Sequence, residues 1–358
     1  MAERRKTIDS VRLMNARTAE ELLGTLLSSF PERSGVITRE RYGVVDGRAK
    51  TLEEIGQSHG ITRERVRQIV DVIMKRIKEV MAQTGEHQLV ERVQQAVRSG
   101  GGILTIEKLL SLLGKGKVTE EKALQALLPV FPGVQIGKET VKRKPVVTVD
   151  TFVMKDWESV IASVTNLLKK SGEVQSLDDL YTHYRKQPDA IDLPKDIFES
   201  FLHSSVEIEM NAFGRYGLMH WSTVRPRGTR ERAHLILQVM KKPLHFREIA
   251  RLIDEHGLYK TGKKTHPQTV HNELIKDERF VLVGRGTYAL SDWGFRPGTV
   301  REVLSSILSE HETPMTREEL LKAVMKVRQV KRSTVIINLN SFFTKVGKNI
   351  YSLASEKE

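Results

Sequence analysis

Apolar positions recur along the chain at helical spacing far more often than they alternate, which predicts mostly amphipathic helix. The clearest run is Thr51 to Ile69, TLEEIGQSHGITRERVRQI. Thr51 and Glu54 have capping-box spacing and start a short helix whose inner side carries Leu52 and Ile55. Gly60 gives the backbone freedom of a sharp turn, and Thr62 is of a type that caps a second helix. On that helix Val66, Ile69, Val70 and Ile73 share one side, while Arg63, Glu64, Arg67 and Gln68 share the other. The pattern predicts a helix-turn-helix with a free polar face. Upstream, Leu22, Leu23, Leu26 and Leu27 predict a helix between Thr18 and Phe30, with Pro31 ending it or opening the next. Downstream, the second helix continues from Ile69 to Met81 with Lys75, Arg76 and Lys78 exposed.

Beyond residue 85 a second pattern returns about every 70 residues, with Leu109, Leu180, Ile249 and Leu320 in equivalent places. Each unit has a helix, then a polar break leading into a second helix: GGILTIEKLL, GEVQSLDDLY, KPLHFREIAR and TPMTREELLK. A third helix follows as EEKALQALL, KDIFESFLH, PQTVHNELI and RSTVIINLN. Strand-like residues around a turn close each unit: VKRKPVVTV, NAFGRYGLMHW, VGRGTYALSDW and VGKNIYSLA. Three helices and a two-stranded ribbon make a winged helix. The first unit, with Gly100 to Gly102 and Gly114 to Gly116, fits this least well. The expected fold is mainly α, with a helix-turn-helix domain over 1–84 and winged helices over 85–152, 153–222, 223–295 and 296–358, each with a short antiparallel wing.

Composition narrows the partner. Over 358 residues, 58 Lys and Arg stand against 45 Asp and Glu, a net charge of +13 that favours a polyanion. The absence of cysteine excludes disulfides, thiolate zinc sites and thiol nucleophiles. No apolar run reaches the ~18 residues of a membrane span, and MAERRKTIDS leads into no signal core, so a cytoplasmic, nucleoid-associated location is expected. Arg, Gln and Glu at the start of a helix are the types that read base edges in a major groove, although Arg63, Arg65 and Arg67 with Glu64 also suit a solvated face.

TLEEIGQSHGITRERVRQI, with FPERSGVITRERYGVVDGRAK before it and the basic helix around Lys75 to Lys78 after it, resembles region four of primary-type bacterial sigma factors. That domain binds the promoter −35 element and docks on RNA polymerase. The resemblance covers roughly residues 17 to 82 and implies that Arg63, Glu64, Arg67 and Gln68 face bases, while Thr62 and Arg65 serve the backbone. Gly35 departs from the family by standing where a helix usually continues. Residues 1–16 leave no room for a promoter-melting domain, so the resemblance implies DNA reading or polymerase docking rather than a complete sigma factor.

The third repeat, HFREIARLIDEHGLYKTGKKTHPQTVHNELIKDERFVLVGRGTYAL, is similar to the HARE-HTH family, winged helices of chromatin-associated proteins, restriction enzymes and the delta subunit of bacterial RNA polymerase. On its third helix Val270 and Leu274 are expected to face the core and Gln268, His271 and Asn272 to be exposed. Lys263, Lys264 and Arg285 are expected near phosphates. Arg225, Arg227, Arg230 and Arg232 in STVRPRGTRER either track a DNA backbone or belong to a solvated linker. In the fourth repeat Lys326, Arg328, Lys331 and Arg332 precede a helix with Ser333 as expected N-cap.

Features of enzymes are incomplete. GLYKTGKK at 257–264 lacks the final Ser or Thr of a phosphate-binding loop and follows a helix rather than a strand. His245, His266 and His271 lack metal-ligand spacing, Trp157, Trp221 and Trp293 suit packing, and no serine sits in a nucleophile elbow. The expectation is a non-catalytic transcription factor without cofactor that binds double-stranded DNA and RNA polymerase. The alternatives are a polymerase-binding or nucleoid scaffold that uses the apolar surface of residues 20–45, and an accessory module of a DNA-modification or restriction system.

Overall fold

The computed structural model describes residues 10–84, 87–259 and 264–353. The chain forms two compact units, one running to Glu209 and including Tyr216–Met219, the other holding Met210–Arg215 and the chain from His220 onward. The described part is mainly α with small antiparallel sheets.

The first unit opens with α1 (Ser10–Asn15), α2 (Ala19–Leu27), α3 (Glu32–Tyr42), α4 (Leu52–His59) and α5 (Arg63–Gln83). The Thr18 hydroxyl accepts from Glu21 N–H to start α2, and Pro31 opens α3. α3 runs unbroken through Gly35, where a Cβ would meet Leu27 only at ordinary contact distance. The apolar stripe of α5 serves two cores. Val66 and Val70 pack with Ile37 and Ile55, whereas Ile73, Ile77, Val80 and Met81 enter a larger core.

That larger core is shared with the first winged helix: α6 (Gln88–Ser99), β1 (Ile103–Thr105), α7 (Ile106–Gly114), α8 (Val118–Leu127), β2 (Val134–Gly137) and β3 (Val146–Val149). Its sheet has the order β1-β3-β2, with Leu104 opposite Val147 and Val147 opposite Ile136. The second winged helix follows as α9 (Met154–Ser171), α10 (Leu177–Arg185), α11 (Lys195–Ser204), β4 (Ile208–Met210) and β5 (Tyr216–Leu218). A single Gln175–Tyr216 bridge takes the place of its first strand. Buried Trp157 donates its indole N–H to Ser204 Oγ at 2.8 Å, fastening α9 to α11.

The second unit holds α12 (Thr229–Met240), β6 (Leu244–His245), α13 (Phe246–Glu255), α14 (Pro267–Ile275), β7 (Phe280–Gly284) and β8 (Thr287–Leu290). It then adds α15 (Val300–His311), β9 (Met315–Thr316), α16 (Arg317–Val327), α17 (Arg332–Phe342), β10 (Thr344–Gly347) and β11 (Ile350–Ser352). Both three-stranded sheets place the last strand in the middle, β6-β8-β7 and β10-β11-β9. Trp293 packs against the α12–β8 core.

Between α14 and β7, the Arg279 guanidinium at 2.6 Å holds the Asp277 carboxyl down to about 2. A depressed folded pKa gives stability that is present above the unfolded value near 3.9 and is lost as pH falls through about 2. Asp277→Asn is expected to cost about 1 to 2 kcal/mol at pH 6, with the gap to wild type closing towards pH 2. Urea midpoints across that range measure it, and a gap independent of pH would refute the ion-pair origin.

Candidate nucleic-acid interface

The helix-turn-helix is built from local contacts. Thr51 and Glu54 close the capping box that starts α4, and Gly60, in the left-handed region at φ 66°, ends it. The helices meet closely at Gly56, where a Cβ would lie 2.7 Å from the Ile61 carbonyl oxygen. α3 braces this turn from behind. Glu40 accepts from Lys50 Nζ at 2.6 Å and lies 2.9 Å from His59 Nε2, and the Lys50 ammonium, with His59, holds its carboxyl below the usual range. The Arg33 guanidinium donates to the His59 carbonyl at the end of α4.

The Thr62 hydroxyl accepts from Arg65 N–H and caps α5. Thr62, Arg63, Glu64, Arg65, Arg67 and Gln68 are all exposed, while Val66 and Val70 are buried. The face is internally paired: Arg67 makes 2.6 Å ion pairs with both Glu64 and Asp71, and Arg65 Nη1 donates to Gln68 Oε1 at 3.3 Å. The Arg67 guanidinium holds the Glu64 carboxyl below its ordinary value. Exposed pairs of this kind are worth about 0.2 to 1 kcal/mol, less than the ~1 to 3 of a good bidentate base contact, so the network does not lock the face. Asp71 was missing from the sequence-based set, although its place four residues after Arg67 was readable.

Two of the four third helices are covered by the chain itself. α8 packs on α2, where the Glu120 carboxylate, 7% exposed, accepts Ala19 N–H at 2.5 Å and Glu20 N–H at 3.0 Å. Lys117 Nζ reaches Glu20 at 2.6 Å beside it. α11 lies against β1, with Ile197 and Phe201 over Gly101 and the Ser200 hydroxyl donating to the Ile103 carbonyl. Neither helix is presented as a recognition helix would be.

In the second unit α14 buries Val270 and Leu274 as expected and exposes Gln268 and Asn272, whose side chains hydrogen-bond each other at 3.2 Å. His271, expected to be exposed, is half-buried. Its ring lies 4.6 Å from that of Phe246, and Nδ1 is 3.0 Å from the Tyr288 hydroxyl, because position 271 turns towards the wing rather than outward. Lys264 is exposed, Arg285 is exposed at the wing turn, and Lys263 lies outside the described residues. So does most of the GLYKTGKK segment, residues 260–263.

Other cations have internal duties. Arg230 pairs with Glu273 at 2.6 Å, and Arg232 donates to the Leu258 carbonyl and sits 3.8 Å from the Tyr259 ring centre. These two are therefore parts of the α12–α14 packing and not of a loose linker; Arg225 and Arg227 are exposed ahead of it. Arg328 donates to the Leu282 carbonyl, and burial lowers its pKa. Arg332 pairs with Glu318 at 2.9 Å, whereas Lys326 and Lys331 stand exposed. Ser333 is not the cap of α17: the helix starts one residue earlier, with Lys331 at the N-cap and no side-chain bond there. Among the described residues no group of His, Asp or Glu is arranged to hold a metal ion. Among them, too, no helix is long and apolar enough to cross a membrane.

Comparison with known proteins coincides with this geometry. Residues 26–79 match the family model for sigma-70, region 4, and residues 228–293 match that for HARE-HTH, the HTH domain of ASXL proteins and restriction endonucleases. The chain is 42% identical over 65 residues to the RNA polymerase principal sigma factor HrdD of Streptomyces griseus, covering 18% of this chain and 20% of that protein. HrdD of Streptomyces coelicolor gives the same identity and coverage, and RNA polymerase sigma factor SigA of a Bacillus species is 41% identical over 59 residues, 16% of each chain. The chain thus spans about a fifth or less of the length of these curated relatives. It carries a sigma-70 region 4 helix-turn-helix and a HARE-HTH winged helix, two DNA-binding domain types of which the first is shared with transcription proteins.

Proposed function

We propose that this protein is a non-catalytic transcription factor that reads duplex DNA through α5 in the major groove and associates with RNA polymerase to modulate initiation at the nucleoid. The observation that carries the reading is the exposed Arg63, Glu64, Arg67 and Gln68 face on a helix-turn-helix that matches sigma-70 region 4. Thr62 and Arg65 lie at its edge, suited to phosphate, and Lys264, Asn272 and Arg285 of the second unit add candidate contacts. The polymerase partner rests on the sigma factor similarity of this one domain. Purified protein is offered random duplexes and the bound sequences are selected at two salt concentrations. The expected result is an enriched motif, with Arg67→Ala lowering affinity by about 1 to 3 kcal/mol and relaxing one position of it. Salt-sensitive binding without enrichment would sink the sequence-reading role.

The scaffold reading needs the apolar surface of residues 20–45, and the burial of Leu22, Leu23, Leu26 and Leu27 in the shared core counts against it. The restriction-accessory reading draws support from the description of the HARE-HTH family alone. Genomic neighbourhood tests it: a partner nuclease or methylase gene alongside would favour it.

A further inference from the structure

The last winged helix, beyond both matched domains, carries a third helix of unusual character. From Ser333 to Thr344 the sequence STVIINLNSFFT holds no charged residue. Val335 and Leu339 face the core, and the opposite side presents Ser333, Thr334, Ile337, Asn340 and Ser341. Ile337 is 63% exposed at the middle of this side. Asn340 accepts from the Tyr351 hydroxyl at 2.7 Å, which fixes its amide with the N–H2 left to donate. At the C-terminal end α17 runs directly into the wing, where Lys345 and Lys348 are exposed and Asn349, at φ 63°, makes the tight turn.

We propose that α17 and the β10–β11 wing form a second duplex-DNA reading surface that recognises thymine-bearing base pairs. Ile337 packs on the thymine 5-methyl group, the flanking hydroxyls and the Asn340 amide meet base edges, and Lys345 and Lys348 lie on phosphates. The inference rests on the reading of the chain as a duplex-DNA binder, and it adds a second site and its base preference. Charge complementarity favours DNA over a protein partner. The neutral face is framed by lysines, which protein interfaces disfavour, and the neighbouring aromatic Phe342 is covered by the Arg301 guanidinium at 4.7 Å from its ring centre. One isolated isoleucine among small polar residues fits a methyl group better than an apolar protein surface.

The test uses the full chain and sequences selected as above, in which the α5 motif serves as internal control. A second, thymine-containing element is expected beside it. Replacing its thymines by deoxyuridine should lower affinity about fourfold per contacted methyl in the wild type and not at all in Ile337→Ala. Lys345→Ala with Lys348→Ala should reduce the salt slope by about 2 without changing either element. Deoxyuridine that acts equally on wild type and Ile337→Ala, or an α5 motif enriched with no second element, overturns this inference alone. Loss of all enrichment overturns the proposed function with it. If Ile337→Asp leaves DNA selection intact but abolishes binding of purified RNA polymerase, the surface is a protein contact and the inference fails.

Discussion

Gly101→Ala is expected to destabilise the first unit by about 2 to 5 kcal/mol, seen as a lower urea midpoint. Gly101 lies at φ 78°, where an L side chain costs about 1 to 2 kcal/mol. A Cβ there would also overlap Ile197 Cγ2 and lie 3.0 Å from Phe201 Cε1, so α11 must shift off β1 at a cost of about 1 to 3 kcal/mol. The two contributions separate in a double-mutant cycle. Ile197→Ala should recover the steric part and leave the backbone part, so the double variant costs less than the sum of its singles. Strict additivity would mean that overlap is not the cause.

Glu120→Ala is expected to cost about 2 to 4 kcal/mol, because it strips the buried N-terminus of α2 of the carboxylate that accepts two of its backbone N–H groups. The negative charge also sits where the helix dipole favours it. Hydrogen exchange should show the Ala19 and Glu20 amides losing protection first, and Glu120→Gln should keep part of the stability by retaining one acceptor oxygen. The C-terminal half of α5 shares this core, so DNA binding should decline in step with the folded fraction. A fall in affinity at full folding would instead place Glu120 in recognition itself.

The helix-turn-helix was legible in the sequence because its determinants are local. The Thr51–Glu54 box, the left-handed Gly60 and the Thr62 cap act across three residues or fewer, and the α5 stripe follows from helical periodicity. The winged helices were legible as a repeat for the same reason: each apolar stripe must bury itself within its own unit. Ser333 was misplaced as a cap because several residues ahead of α17 can open a helix, and the start is set by how Val335 and Leu339 meet the core. His271 was misread because its position on a helix does not reveal the Phe246 and Tyr288 rings that fold back onto it.

What only the tertiary structure decided is which third helices remain free. α8 and α11 carry charged and polar residues much as an exposed recognition helix would, but α2 and β1, each about a hundred residues away in the chain, cover them. α17 looks apolar enough to be buried, yet Ile337 stands in solvent. Caps and periodicities are interactions between near neighbours, so they are written in the sequence and read from it. Cover is a contest between distant surfaces for the same apolar area, and it is settled only when the whole chain has packed.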